Sequence, residues 1–181
     1  MEVTTTPLPG VLVLQPRIFS DHRGHFLETW NDATFRSAIG GEIHFVQDNE
    51  SVSHRHVLRG LHFQLEPHAQ GKLIHVVNGS VIDVVVDIRE ESATYGRHFK
   101  IGLNGTKKTM LFIPPGFAHG FVALEDDTIF AYKCTRGYDR ASERTILWND
   151  PDLGIDWGIT DPIVSEKDAL GIPFNGNWRS K

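Results

Sequence analysis

The chain has 181 residues, enough for one domain with a sizeable hydrophobic core. Hydrophobic residues make up 40% and charged residues 23% of the sequence, a globular composition that argues against long disordered segments. The 18 Lys and Arg residues against 23 Asp and Glu residues give a formal charge of −5, which does not favour binding to a nucleic-acid backbone.

Cysteine content and apolar runs indicate the compartment. The single cysteine, Cys134, excludes an internal disulfide framework and a Cys-based metal cluster. Residues 1–7 lack a basic region followed by an apolar run, so no signal peptide is predicted. No apolar stretch approaches the roughly 18 residues that a membrane span needs. The sequence therefore predicts a cytoplasmic protein without a membrane or nucleic-acid partner.

Short segments rich in β-branched residues recur along the chain, with turn signals between them. The predicted strands are residues 11–15, 24–29, 44–49, 57–64, 73–77, 80–88, 97–103, 109–113, 120–124, 129–135 and 144–148. Asn78-Gly79 separates two of these runs and predicts a hairpin between them. Many short strands at this spacing indicate an all-β sandwich, jelly roll or barrel.

Helical signals are few. Residues 31–39 can form two helical turns, with Asn31 as N-cap and Gly40-Gly41 as the stop. Ser165 opens a second short helix, whereas residues 175–181 show no pattern. No repeat or linker divides the chain, so residues 1–181 are predicted to form a single domain.

Polar side chains interrupt the apolar pattern inside several predicted strands. Arg59 and His62 would not share a face of a regular strand, but a bulge at Gly60 would re-aim them. Polar residues directed into a small barrel are costly unless they pair with one another or with a ligand. The pattern therefore predicts an interior site that includes Arg59, His62, Lys72, His119 and Tyr132.

A metal centre is the first alternative for such a site. Pro115-Gly116-Phe117-Ala118-His119 resembles the second half of the cupin metal motif. Where the first half has His-x-His, this chain reads His62-Phe63-Gln64. A neutral amide is a poor ligand beside imidazole and carboxylate, so no metal is expected.

Several segments together, in their order, resemble the dTDP-4-dehydrorhamnose 3,5-epimerase family over roughly residues 7–170. They are residues 19–28, 45–49, 57–64, 70–73, 84–89, 113–121, 132–135, 146–151 and 165–168. The resemblance implies a cupin-type jelly roll, all-β with a few short helices, that forms a homodimer without cofactor or metal. It also implies a dTDP-sugar substrate, dTDP-4-dehydro-6-deoxy-D-glucose, which is inverted at C3 and C5.

The resemblance also implies roles for individual residues. Inversion next to the C4 ketone needs a base on one face of the carbon and an acid on the other. His62 matches the base, Asp168 the carboxylate that orients it, and Tyr132 the proton donor. Lys72 matches the cation beside the developing enolate oxygen. The matching nucleotide- and sugar-binding positions are Arg23, Glu28, Gln47, Asn49, Arg59, Lys72, His119, Glu143 and Lys167.

Simpler interpretations remain open at this point. Asp168 could serve only the N-cap turn of Ser165, and Tyr132 could be an ordinary strand tyrosine. Lys72 could protect a strand edge, and Arg23 and Glu28 could form a surface ion pair. The alternative functions are a single 3- or 5-epimerase, a non-catalytic sugar-nucleotide-binding cupin and a metal-dependent cupin.

Overall fold

The predicted all-β architecture is confirmed by the structure, a computed structural model that describes residues 1–178. The last residues of the patternless tail, 179–181, lie outside the described residues. In chain order the elements are β1 (Glu2–Thr5), β2 (Leu12–Gln15), β3 (Ile18–Asp21), β4 (Gly24–Leu27), α1 (Asp32–Ile39), β5 (Gln47–Ser53), β6 (Leu58–Gln64), β7 (Lys72–Asn78), β8 (Ser80–Asp87), β9 (His98–Asn104), β10 (Met110–Ile113), β11 (Phe117–Ala123), β12 (Thr128–Cys134), β13 (Glu143–Thr145) and α2 (Glu166–Ala169).

Two antiparallel sheets form the body of the molecule. The six-stranded sheet has the order β1-β2-β10-β7-β12-β5, and the five-stranded sheet has the order β13-β6-β11-β8-β9. β3 and β4 pair only with each other, as a separate hairpin. Non-sequential neighbours of this kind are typical of a jelly roll. Neither helix of the described chain is long and apolar enough to cross a membrane.

Three apolar clusters hold these layers together. The inward faces of both sheets meet in one cluster that includes Ile74, Val85 and Phe130. The outer face of the five-stranded sheet is covered by the C-terminal segment, whose Trp157 and Trp178 are buried against it. Helix α1 covers part of the other sheet's outer face.

The predicted hairpin at Asn78-Gly79 is wrong. β7 pairs with β10 and β12, whereas β8 pairs with β9 and β11, so the chain crosses here from one sheet to the other. Gly79 has a φ of +78°, and a Cβ there would lie 2.4 Å from the Thr128 hydroxyl oxygen. The glycine therefore lies at a corner where the chain passes from one sheet to the other. Such a corner needs the same positive-φ backbone conformation as a tight hairpin.

Other element boundaries differ by a few residues from the prediction. The helix over residues 31–39 is confirmed, with the Asn31 side chain accepting from the Thr34 N–H and Gly40 in the left-handed region. β5 begins at Gln47 and extends to Ser53, later than predicted. The segment before His119 is already strand, because β11 starts at Phe117.

Candidate active site

A β-bulge sets the direction of the central polar residues. On β6 and β11, Arg59 lies opposite Phe121 and His62 opposite His119, so two residues of β6 face Gly120 alone. The extra residue turns Arg59 and His62 to the same inward face, as the sequence predicted. The two backbones approach closely here, since a Cβ on Gly60 would lie 2.6 Å from the Gly120 Cα.

The inward-facing polar residues surround a cavity of about 450 Å³ between the sheets, hereafter the main cavity. Arg59, His62 and His119 reach it from the five-stranded sheet. Lys72 and Tyr132 reach it from the six-stranded sheet, and Lys167 and Asp168 close it from α2. An adjoining hollow of about 360 Å³ shares His62, Lys72 and Tyr132 and adds further predicted site residues, Gln47, Asn49 and Glu143.

His62 and Asp168 form the shortest polar contact of the site. With its proton on Nε2, His62 donates to Asp168 Oδ1 across 2.5 Å, and Asp168 Oδ2 accepts from the Gly60 N–H at 3.3 Å. Burial acts to raise the pKa of Asp168, but the hydrogen bonds from His62 and the Gly60 N–H and the nearby charge of Lys167 oppose it, so this pKa is lowered. The carboxylate therefore stays ionised and fixes the ring.

The capping interpretation of Asp168 is also correct in part. Ser165 is the N-cap of α2, and its hydroxyl accepts from the Asp168 N–H at 3.1 Å. Asp168 is 2% exposed, and its carboxylate contacts His62. The N-cap hydrogen bond uses only the backbone N–H of Asp168, so the carboxylate of Asp168 is available to bind His62.

Lys72 and Tyr132 stand together on the opposite sheet. The Lys72 Nζ lies 6.0 Å from the Tyr132 ring centroid, and no hydrogen bond joins this ammonium to another residue within 1–178. Burial lowers the pKa of Lys72, which makes its ammonium a better proton donor than an exposed lysine. Burial raises the pKa of Tyr132, so its phenol keeps the proton at neutral pH.

His119 has a partner that the sequence analysis missed. His119 Nε2–H donates to Asp83 Oδ2 at 2.8 Å, and both side chains are buried. Burial raises the pKa of Asp83, against the opposing effects of His119 and Lys72. The signal was available: Asp83 is an acid at an inward position of the Val- and Ile-rich strand β8.

The rim of the adjoining hollow is a chain of polar contacts. Lys167 donates to Glu143 at 2.8 Å, and the Tyr138 hydroxyl donates to the same carboxylate at 3.1 Å. Gln47 and Asn49 share a face, as predicted, with 2.8 Å between Gln47 Nε2 and Asn49 Oδ1. Tyr138 was not predicted, because it lies in a loop without periodicity.

Arg23 and Glu28 are the two predicted site residues that line neither the main cavity nor the adjoining hollow. Arg23 lies in the β3–β4 turn and is paired with Asp21. Glu28 follows β4 and accepts from the Asn31 side chain at 3.0 Å. They do not form the ion pair with each other that the simpler interpretation suggested.

The described residues offer few side chains placed to bind a metal ion. Within residues 1–178, no three His, Cys, Asp or Glu side chains are grouped so that they could hold a metal ion. Gln64 occupies the place where the cupin motif has its second histidine, and its side-chain amide is hydrogen-bonded to backbone groups.

Fold and site together define a cupin-type jelly-roll protein with an imidazole–carboxylate pair facing a phenol across a cavity. The sequence profile of the dTDP-4-dehydrorhamnose 3,5-epimerase family matches residues 5–175. The chain belongs to this family.

Individual relatives are similar to this chain in sequence or in structure over nearly its whole length. The dTDP-4-dehydrorhamnose 3,5-epimerase of Shigella flexneri is 47% identical over 174 residues, 96% of this chain and 96% of that protein. The Salmonella typhimurium enzyme of the same name is 49% identical over 170 residues, 93% of each chain. A crystal structure of dTDP-6-deoxy-D-glucose-3,5-epimerase from Legionella pneumophila, in complex with dTDP-4-keto-L-rhamnose, has a TM-score of 0.92 and 41% identity, covering 96% of this chain and 93% of that one.

Proposed function

We propose that the chain inverts C3 and C5 of dTDP-4-dehydro-6-deoxy-D-glucose and so forms dTDP-4-dehydro-L-rhamnose. The observation that carries this proposal is the placement of an imidazole–carboxylate pair and a phenol on different sheets. His62, oriented by Asp168, enters the main cavity from one sheet, and Tyr132 enters it from the other. A sugar ring between them presents one face to each, which is what inversion requires.

The first step is proton removal next to the C4 ketone. Because His62 Nε2–H donates to Asp168, Nδ1 keeps the lone pair that takes the proton from carbon. The electrons of the broken C–H bond form a C=C bond, and the carbonyl oxygen becomes an enolate. The Lys72 ammonium stabilises this oxygen, a contribution on the order of 3 kcal/mol in a site shielded from water.

The second step returns a proton to the opposite face. The Tyr132 hydroxyl gives its proton to the carbon, the C=C electrons make the new C–H bond, and the ketone re-forms. Tyr132 then regains a proton, and His62 releases one, through solvent. These steps need no cofactor and no metal, so we expect a chelator to leave the reaction unchanged.

The remaining predicted residues bind the substrate in this proposal. Arg59 donates to the Ser53 hydroxyl at 3.1 Å and to the Val52 carbonyl at 3.2 Å, which holds its guanidinium at the cavity for a diphosphate. His119 contacts the sugar. Along the adjoining hollow, the binding residues are Gln47, Asn49 and Glu143. Lys167, which lines the main cavity and donates to Glu143, binds beside them.

A homodimer is part of the proposal. The β3–β4 hairpin carries Arg23 and exposes two opposed aromatic rings, Phe19 and Phe26, at 49% and 66%. Exposed aromatic pairs of this kind mark association surfaces. We infer that this hairpin contacts a second copy and that Arg23 and Glu28 complete the partner's nucleotide site. A cytoplasmic location is compatible with the buried free thiol of Cys134.

Reaction in D2O tests the function. The protein is incubated with dTDP-4-dehydro-6-deoxy-D-glucose, deuterium uptake is measured by mass spectrometry, and product configuration is read by NMR. Deuterium at C3 and C5 with inversion at both is the expected result. Deuterium and inversion at one carbon would make the protein a single epimerase, and no exchange would refute the proposal for this substrate.

A further inference from the structure

Residues 136–139, hereafter the rim turn, connect β12 to β13 and carry Tyr138 to the adjoining hollow. Their backbone is held by the side-chain amides of three glutamines that come from other parts of the chain. The bonds are Gln70 Nε2–H to Arg136 O at 2.8 Å, Gln64 Nε2–H to Gly137 O at 3.3 Å, Tyr138 N–H to Gln47 Oε1 at 2.9 Å and Asp139 N–H to Gln64 Oε1 at 2.7 Å.

Gln64 is the central member of this group. It is 7% exposed, lies two residues after His62 on β6, and makes two of the four bonds to the rim turn. A third bond, from its Nε2–H to the His68 carbonyl at 2.7 Å, ties its amide to the β6–β7 loop. A buried amide with three backbone partners has one permitted orientation, because reversing it would set oxygen against two carbonyls.

The rim turn decides where the Tyr138 phenol stands. The Tyr138 residue is 57% exposed, so packing against the core does not fix its ring. Its hydroxyl nevertheless donates to Glu143 at 3.1 Å, and the residue lines the adjoining hollow with His62 and Lys72. The position of this phenol therefore depends on the backbone that carries it, and that backbone is held by the glutamines.

We propose that Gln64 is a positioning residue, which fixes the rim turn and thereby holds the Tyr138 hydroxyl against Glu143 beside the catalytic groups. In this way β6, the strand that carries His62, also fixes the position of the rim turn. The effect of Gln64 on turnover rests on the proposed function, whereas its effect on the position of Tyr138 is independent of that function.

A double-mutant cycle on kcat/KM tests the effect on turnover. Gln64→Glu keeps the acceptor for Asp139 N–H but sets oxygen against the Gly137 and His68 carbonyls. We expect it to lower kcat/KM about tenfold, with much less further loss when Tyr138→Phe is already present, because coupled residues are not additive. An equal loss in both backgrounds would overturn the proposal.

Two further variants separate positioning from general damage. Gln64→Met is uncharged and of similar length, and it should reproduce the loss if Gln64→Glu does not fold. Gln15→Glu is the matched control, since Gln15 also donates to a backbone carbonyl, that of Lys107 at 2.9 Å, but lies on β2 away from the site. It should leave kcat/KM unchanged. A loss at Gln15 equal to that at Gln64 would contradict a specific role.

A titration without substrate tests the contact itself. Burial and the hydrogen bond to Glu143 raise the pKa of Tyr138. The ultraviolet titration of Tyr138 is obtained by subtracting the curve of Tyr138→Phe. In the Gln64→Met background this transition should move down toward the ordinary tyrosine value of about 10. An unmoved transition in a folded Gln64→Met variant would refute the positioning role, whatever substrate the enzyme uses.

Discussion

His62 and Tyr132, the proposed base and acid, lie on different sheets, so their removal should have different consequences. Tyr132→Phe keeps the ring but removes the proton that the proposal delivers to the second face of the carbon. We expect exchange with D2O at C3 or C5 to continue through His62, while inversion falls by roughly 10²- to 10⁴-fold. Mass spectrometry follows the exchange and NMR the configuration. Normal inversion by Tyr132→Phe would remove Tyr132 as the donor.

His62→Ala is the natural comparison for that variant. Without the imidazole neither exchange nor inversion should occur, while calorimetry should find nearly unchanged affinity for dTDP, because the reacting carbons belong to the sugar. Loss of exchange in Tyr132→Phe as well would contradict the assignment of proton removal to His62 alone.

The site residues were predictable to different degrees, for physical reasons. His62, Lys72 and Tyr132 interrupt apolar strands at inward positions, and the ordered motifs around them carry a family resemblance. Asp83 was equally visible but unassigned, because only the β8–β11 pairing shows that it meets His119. Tyr138 gave no signal, since its place depends on hydrogen bonds from residues more than 60 positions away.

At the scale of elements, the bulge on β6 is the feature on which the site most depends. A Cβ on Gly120 would lie 2.8 Å from the Arg59 carbonyl oxygen and 2.9 Å from the Gly60 Cα. Gly120→Ala should therefore push β11 from β6, lower the free energy of unfolding by about 2 kcal/mol and reduce kcat by misplacing His62. Urea unfolding and turnover measure the two effects.

Gly102 provides the control for that substitution. It lies in β9 of the same sheet, and a Cβ there meets nothing within 4 Å. Gly102→Ala should leave turnover intact and change the free energy of unfolding little. If both variants behaved alike, close approach of β6 and β11 would not be the reason for glycine at position 120.

The errors in element prediction have a common origin in pairing and burial. A two-residue signal such as Asn78-Gly79 reports backbone conformation, whereas the sheet to which a strand belongs is decided by partners distant in sequence. β5 was placed too early because its inward residues, Gln47, Asn49 and Ser51, line the site. The hydrophobic alternation that reveals a strand is absent where the inward face serves a ligand.

For the whole molecule, a buried carboxylate that lines neither cavity links stability to pH. Asp87 is 0% exposed. Burial acts to raise its pKa, but hydrogen bonds from Arg89, Ser92 and Thr94 outweigh this and lower the pKa from 3.8 to about 2. An unfolded chain takes up this proton at higher pH than the folded one, so the carboxylate contributes about 2 kcal/mol above pH 4.

That contribution should disappear as the pH falls from about 4 to about 2. Asp87→Asn cannot ionise, so its deficit in the free energy of unfolding should be largest at neutral pH and should shrink by about 2 kcal/mol towards pH 2. Urea unfolding of both proteins across this range measures the difference. A deficit that is independent of pH would show that Asp87 is not held ionised in the folded state.

The assembly of the active site from two copies can be tested by mixing variants. If Arg23 serves the partner's site, His62→Ala and Arg23→Ala are each inactive, yet a hybrid dimer has one intact site, formed by His62 of one copy and Arg23 of the other. Equal mixing and subunit exchange make half of all dimers hybrids, so about a quarter of wild-type activity should return. Analytical ultracentrifugation tests whether the chain forms dimers. If the mixture stayed inactive while subunits exchanged, Arg23 would have to act within its own chain, and the hairpin would have to fold back over its own cavity rather than reach across to a second copy.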